Sequence, residues 1–133
     1  MGKGGFEELA VWQRSKELAV EVYRLTNAGA FAKDFGLRDR MRRAAVSVPS
    51  NIAEGDERET DREANRYFYV AKGSLAELLT QTVIALEIGY LTDPQYQELQ
   101  EKCRTIMKML ASLIRARQTI TARPSAKCLE PRA

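Results

Sequence analysis

The sequence contains no histidine. That removes imidazole as a general base, a proton shuttle and a metal ligand. It also removes the Ser-His and Cys-His nucleophile pairs and the Glu-x-x-His sites of ferritin-like bundles. Cysteine is scarce: Cys103 lies in a helical pattern and Cys128 in a polar C-terminal stretch. Two such residues do not make a disulfide framework, so the reading is reduced thiols in a cytoplasmic protein. With no base to activate it, Cys103 reads as a small buried hydrophobe. No apolar run reaches 18 residues, and the opening MGKGGFEELAVW lacks the apolar stretch of a signal peptide. Neither a membrane span nor export is expected. No segment alternates with period two over a useful length, so no strand is expected.

What remains is a helical composition. The 133 residues are 44% hydrophobic and 29% charged, with a net charge of +3. That length fits one domain with its own core, and the charge is too small alone to announce nucleic acid. Four segments carry apolar stripes at alternating spacings of four and three, the period of a helix with one buried face. The first, from about Phe6 to Ala28, holds Val11, Ser15, Leu18, Val22 and Leu25, with Trp12, Ala19, Tyr23 and Thr26 beside them. Gly29 is its expected left-handed stop. The second runs from about Gly36 to Glu54 on Leu37, Met41, Ala44, Ala45, Val48 and Ile52. Pro49 predicts a kink there, or a break capped by Ser47, and Gly55 is the expected end. The third runs from Asp61 to Tyr90 behind a Thr60–Glu63 capping box. It carries one stripe from Ala64 to Gly89 and a second through Tyr67, Val70, Ser74, Ile84, Ile88 and Leu91. The fourth starts with Asp93 as cap and Pro94 as first helical residue. Its seam is Tyr96, Leu99, Cys103, Ile106, Leu110, Leu113 and Ile120, interrupted by Arg117. Short loops make neighbours antiparallel. The expected fold is therefore all-α: an up-down-up-down four-helix bundle over residues 1–120, with a polar, disordered tail over 121–133.

The residues that could carry function are few. Arg38, Arg40, Arg42 and Arg43 cluster on the second helix, and Lys33 to Arg43 holds five basic and two acidic residues. Arginines in such number neutralise phosphates, the sequence-independent part of nucleic-acid affinity. The alternative is a solvated face with Asp39 pairing Arg43 one turn on; no aromatic residue interleaves the cluster to stack on bases. The acidic run Glu54, Asp56, Glu57, Glu59, Asp61 and Glu63 lacks EF-hand spacing and is diluted by Arg58 and Arg62, so it reads as helix capping and surface charge. Asn51 and Glu54 beside Pro49 read as structural, serving a freed carbonyl or a neighbouring arginine. No catalytic constellation, cofactor motif or metal site is marked.

The strings LRDRMRRAAVSVPSNIAEG (Leu37 to Gly55) and YFYVAKGSLAELLTQ (Tyr67 to Gln81), with FEELAVWQRSKELAVEVYRLT (Phe6 to Thr26), resemble the bacterial four-helix-bundle proteins encoded in 23S rRNA intervening sequences. The resemblance spans about residues 6 to 116. Members often carry Ser-Gln where this chain has Asp39 and Arg40. The resemblance implies a ring-like homo-oligomer, commonly a pentamer. A relative, the accessory protein of diversity-generating retroelements, binds nucleic acid and a reverse transcriptase. For the intervening-sequence branch no settled activity comes with the name. The expectation is a non-enzymatic, oligomeric, nucleic-acid-associated protein, with RNA ahead of DNA and Arg38, Arg40, Arg42 and Arg43 as contacts. The alternative is a protein-interaction scaffold with no nucleic-acid role.

Overall fold

The structure is a computed structural model and describes residues 5–122, with side chains within 5–118. It contains four helices: α1 (Ala10–Leu25), α2 (Phe35–Asp56), α3 (Asp61–Glu87) and α4 (Asp93–Ala122). Short 3₁₀ turns at Gly5–Glu8 and Gly29–Lys33 flank α1, and no strand occurs among the described residues. The expected tail begins inside α4, and residues 123–133 lie outside the described residues.

Neighbouring helices run antiparallel, as cross-helix contacts at both ends require. Thr26, just past α1, meets Arg42 near the start of α2, while Gly5, ahead of α1, approaches Glu57 after the end of α2. Asn65 early in α3 donates to the Ile114 carbonyl late in α4, and Glu21 late in α1 pairs with Lys102 early in α4. The seams meet in the middle. Leu18, Val22, Met41, Ile52, Phe68, Leu75, Leu78, Leu99, Ile106 and Leu110 are at most 1% exposed. Each such side chain contributes about 1.5–3 kcal/mol by leaving water.

The helix ends follow local chemistry, which differs in places from the sequence expectation. Gly29 does adopt a left-handed φ of 59°, but α1 has already stopped at Leu25. Leu9 is extended, so the chain before Ala10 is a separate turn. Of the kink or break expected at Pro49, the break does not occur: α2 runs through Pro49 as one helix. The Ser47 hydroxyl shares a 2.8 Å hydrogen bond with Ser74 of α3, so it caps nothing. Gly55 does not end α2 either. It is buried one residue inside, and a Cβ there would lie 2.7 Å from the Phe68 ring and 2.9 Å from the Ala64 carbonyl. It is glycine because α2 and α3 touch there, not because the chain turns.

Helix α3 ends at Glu87, three residues early, in a Schellman motif. Gly89, at φ 89°, donates to the Leu86 carbonyl at 3.0 Å, and Tyr90 to that of Ala85 at 2.8 Å. Thr60 caps α3 as expected, accepting from the Glu63 N–H at 3.1 Å. The α4 cap is Thr92 rather than Asp93. The Gln95 N–H donates to the Thr92 hydroxyl at 3.3 Å, and the Gln95 side chain accepts from the Thr92 N–H at 2.9 Å. That is a complete capping box. Asp34 caps α2 through Oδ1 and accepts from the Tyr90 hydroxyl through Oδ2 at 2.9 Å, tying the α3–α4 loop to the start of α2. This hydrogen bond also raises the Tyr90 pKa above the usual phenol value.

Candidate nucleic-acid interface

The four arginines of α2 do not form one face. Arg38 and Arg42 turn toward α1 and the turn before α2. Arg38 donates to the Ala32 carbonyl at 2.9 Å, pairs with Asp39 at 3.0 Å and lies over the Phe35 ring at 4.6 Å. Arg42 donates from Nε to the buried Thr26 hydroxyl at 2.9 Å and lies over the Tyr23 ring at 4.5 Å. Arg40 and Arg43 are exposed and have no hydrogen bond, ion pair or ring contact among the described residues. The expected Asp39–Arg43 pair is not made, because Asp39 sits on Arg38 instead.

Tertiary packing supplies what the α2 sequence lacks. Tyr23 comes from α1, 19 positions before Arg42, and is 45% exposed. Tyr23, Arg42, Arg43, Val46, Ser50 and Asn51 line one open groove between α1 and α2, with the Asp39 carboxylate, tied to Arg38, at its edge. An exposed phenol ring, guanidinium groups, a hydroxyl and an amide are the groups that stack on bases and contact phosphate oxygens. Reading α2 alone missed Tyr23. The available signal was its position in the second, surplus stripe of the first helix.

The other candidates resolve into structure. Asn51 donates to the Ser47 carbonyl at 2.8 Å and to its hydroxyl at 3.0 Å, so with Ser74 it forms a polar clasp between α2 and α3. Three members of the acidic run meet cations: Glu54 pairs with Arg58, and Arg117 reaches Asp61 at 3.2 Å and Asp56 at 3.6 Å. Arg117 also lies over the Phe68 ring at 5.4 Å. The residue that interrupted the fourth seam therefore clasps the α2–α3 connection to the end of α4. No acidic or thiol group among the described residues is arranged to hold a metal. Cys103 has no exposed surface, and burial pushes its thiol up to about 12, against the smaller opposing effect of Arg104. A thiol so far from ionisation is not a nucleophile at neutral pH. Cys128 lies outside the described residues, and no described helix is long and apolar enough to cross a membrane.

Comparison with known proteins gives a consistent picture. A family described as "23S rRNA-intervening sequence protein" matches residues 7–112. No curated protein matches. A crystal structure from Bacteroides thetaiotaomicron, of a protein with unknown function from the S23 ribosomal protein family, superposes with a TM-score of 0.73. It is 22% identical, over 79% of this chain and 98% of that one. At that identity the likeness concerns the fold and leaves function to the site. With four helices in the expected order and the family match covering most of them, the chain belongs to the 23S rRNA intervening sequence protein family.

Proposed function

We propose that this chain is a non-enzymatic, cytoplasmic accessory protein that works as a homo-oligomer and holds single-stranded RNA along the α1–α2 groove. One observation carries the reading. The exposed Tyr23 ring stands beside Arg42 and shares a groove with Ser50, Asn51 and an Arg43 that has no counter-charge among the described residues. Arg40 and Arg43 position a phosphate backbone, while Tyr23 offers a stacking surface that any base fits. Binding is accordingly weak in sequence preference and strong in salt dependence. The family description, with its reference to 23S rRNA, favours RNA over DNA.

Fluorescence anisotropy with a labelled 20-nucleotide single-stranded RNA tests this. Tyr23→Ala loses about 1–3 kcal/mol of binding, the worth of one base stack, with no change in the slope of log affinity against log salt. Failure of the wild type to bind at low salt would falsify the reading and leave the scaffold alternative in its place. That alternative draws on one feature the groove does not explain, the outer face of α3.

A further inference from the structure

The groove that holds Tyr23 reaches across α2 to its other flank. Ser47 and Asn51 line it as well, and Ser47 bonds to Ser74 of α3. One turn on from that bond, in this antiparallel pair, stand Asn51 of α2 and Val70 of α3. Val70 is 52% exposed, on the same outer face of α3 as Ile84. It lines a second open groove with Arg58, Glu63, Arg66 and Tyr67. The two grooves hold the same kinds of group. In the first, Arg42 lies over Tyr23 beside Arg43 and the exposed Val46. In the second, Arg58 lies over the half-buried Tyr67 ring at 5.0 Å, beside Arg66 and Val70. Arg66 and Arg62, one turn apart, are exposed and have no hydrogen bond, ion pair or ring contact among the described residues. Two carboxylates stand at this groove too. Glu54 pairs with Arg58, and Glu63 lines the wall. Arg58 is therefore already engaged, and the cation left for a ligand in this groove is Arg66.

We propose that the two grooves form one track: a single RNA strand bound at Tyr23 continues over Ser47 and Asn51 to a second stacking platform at Tyr67, with Arg66 as the phosphate contact there. The inference rests on the RNA reading of the α1–α2 groove and adds where the strand goes next. A guanidinium laid on a phenol ring is a flat surface held in place, and a base stacks on either plane. Arg58 serves in this way without giving up Glu54. Arg66 neutralises a phosphate at no cost to the fold, since it has no partner to lose. Ser50 and Asn51 supply neutral polar contacts to the sugar-phosphate chain between the platforms. Glu63 opposes a phosphate beside Arg66, so the second platform binds more weakly than Arg58 and Arg66 alone would allow. From Arg43 to Asp56, the last residue of α2, the helix runs about 20 Å. Only a strand several nucleotides long reaches both platforms.

The test is anisotropy on the full chain with the 20-nucleotide RNA and with a short RNA of about 4 nucleotides, circular dichroism confirming that each variant folds. Tyr67→Ala weakens binding of the long RNA at least fivefold, the low end for one lost base stack. It leaves the short RNA, which the α1–α2 groove holds alone, nearly unchanged. Tyr67→Phe keeps the ring and the affinity. Arg66→Ala weakens binding of the long RNA and flattens its salt slope by about one unit. Glu63→Gln, which removes the opposing carboxylate, strengthens it. Equal losses for long and short RNA in Tyr67→Ala point to a disturbed fold and overturn the proposal. So does a long RNA that ignores Tyr67→Ala and Arg66→Ala while Tyr23→Ala weakens it, and the α1–α2 reading then stands without the extension. If Tyr67→Ala and Arg66→Ala weaken binding and Tyr23→Ala does not, the α1–α2 reading fails, the shared track fails with it, and the α2–α3 end is the site. A wild type that binds neither RNA at low salt ends both readings.

Discussion

Arginine plays two parts in this molecule, at two places. At the end of the bundle where α2 meets α3, Arg117 lies between Asp56 and Asp61 and over Phe68, and Arg58 holds Glu54. On the outer face of α2, Arg40 and Arg43 have no hydrogen bond, ion pair or ring contact among the described residues. The first arrangement is complete in itself: each of these charges has its counter-charge, and the Phe68 ring under Arg117 is buried. The second is a set of charges kept in water, where they add nothing to the fold. An equal count of arginines thus says little until the partners are known. Arg38 and Arg42 sit between the extremes, bonded to Ala32 and Thr26. They serve the joint between α1 and α2 first and offer charge second.

The packed end is where substitutions should cost most. Phe68 is fully buried, with Gly55 on one side and Arg117 nearby. Phe68→Ala should lower stability by about 3–5 kcal/mol, the usual loss for a large aromatic core residue. Gly55→Ala comes next. Its new methyl has backbone at 2.9 Å, so α2 and α3 must part. The expected loss is about 1–3 kcal/mol, against the ~1 kcal/mol that alanine otherwise gains in a helix. Both are read from urea unfolding midpoints. A neutral or stabilised Gly55→Ala would mean that the close approach of the two helices is wrong. Arg117→Ala should cost about 1 kcal/mol, near the upper range for a partly exposed ion-pair network, and less at high salt.

A smaller effect depends on pH. The Cys103 thiol ionises near 12 in the folded chain, against roughly 8.5 when unfolded. Above the lower value the unfolded state sheds a proton that the folded state keeps, so stability falls as pH rises toward the folded value. Tyr90, also raised, acts in the same direction. The urea midpoint should be lower at pH 10 than at pH 8, and part of that difference should vanish in Cys103→Ala. An identical pH difference in that variant would remove the thiol from the account.

Much of the fold was legible because burial imposes a period. Met41, Val48 and Ile52, or Leu99, Cys103 and Ile106, are spaced as one helix face and are buried as one face. What misled was any residue with two physical uses. Glycine serves both a left-handed turn and a close approach. Gly55 was the approach where a stop was expected, and Gly89 the stop where a seam residue was expected. Asp93-Pro94 gave a louder start signal than Thr92 with Gln95, yet the latter makes the cap. The arginine cluster was visible as a cluster. Its division into tied and free members depended on Thr26, Tyr23 and Ala32, which the turn before α2 brings alongside. The aromatic partner of the groove was equally hidden, since it belongs to another helix.

The difference between tied and free arginines is most directly tested on the free pair. RNA affinity and the urea midpoint are measured for wild type and Arg40→Ala/Arg43→Ala over a salt series. The account predicts weaker binding, a salt slope flatter by about two units for two lost phosphate contacts, and a midpoint within about 0.5 kcal/mol of wild type. A double variant that binds RNA with unchanged affinity and slope, or that loses stability in step with binding, would contradict it.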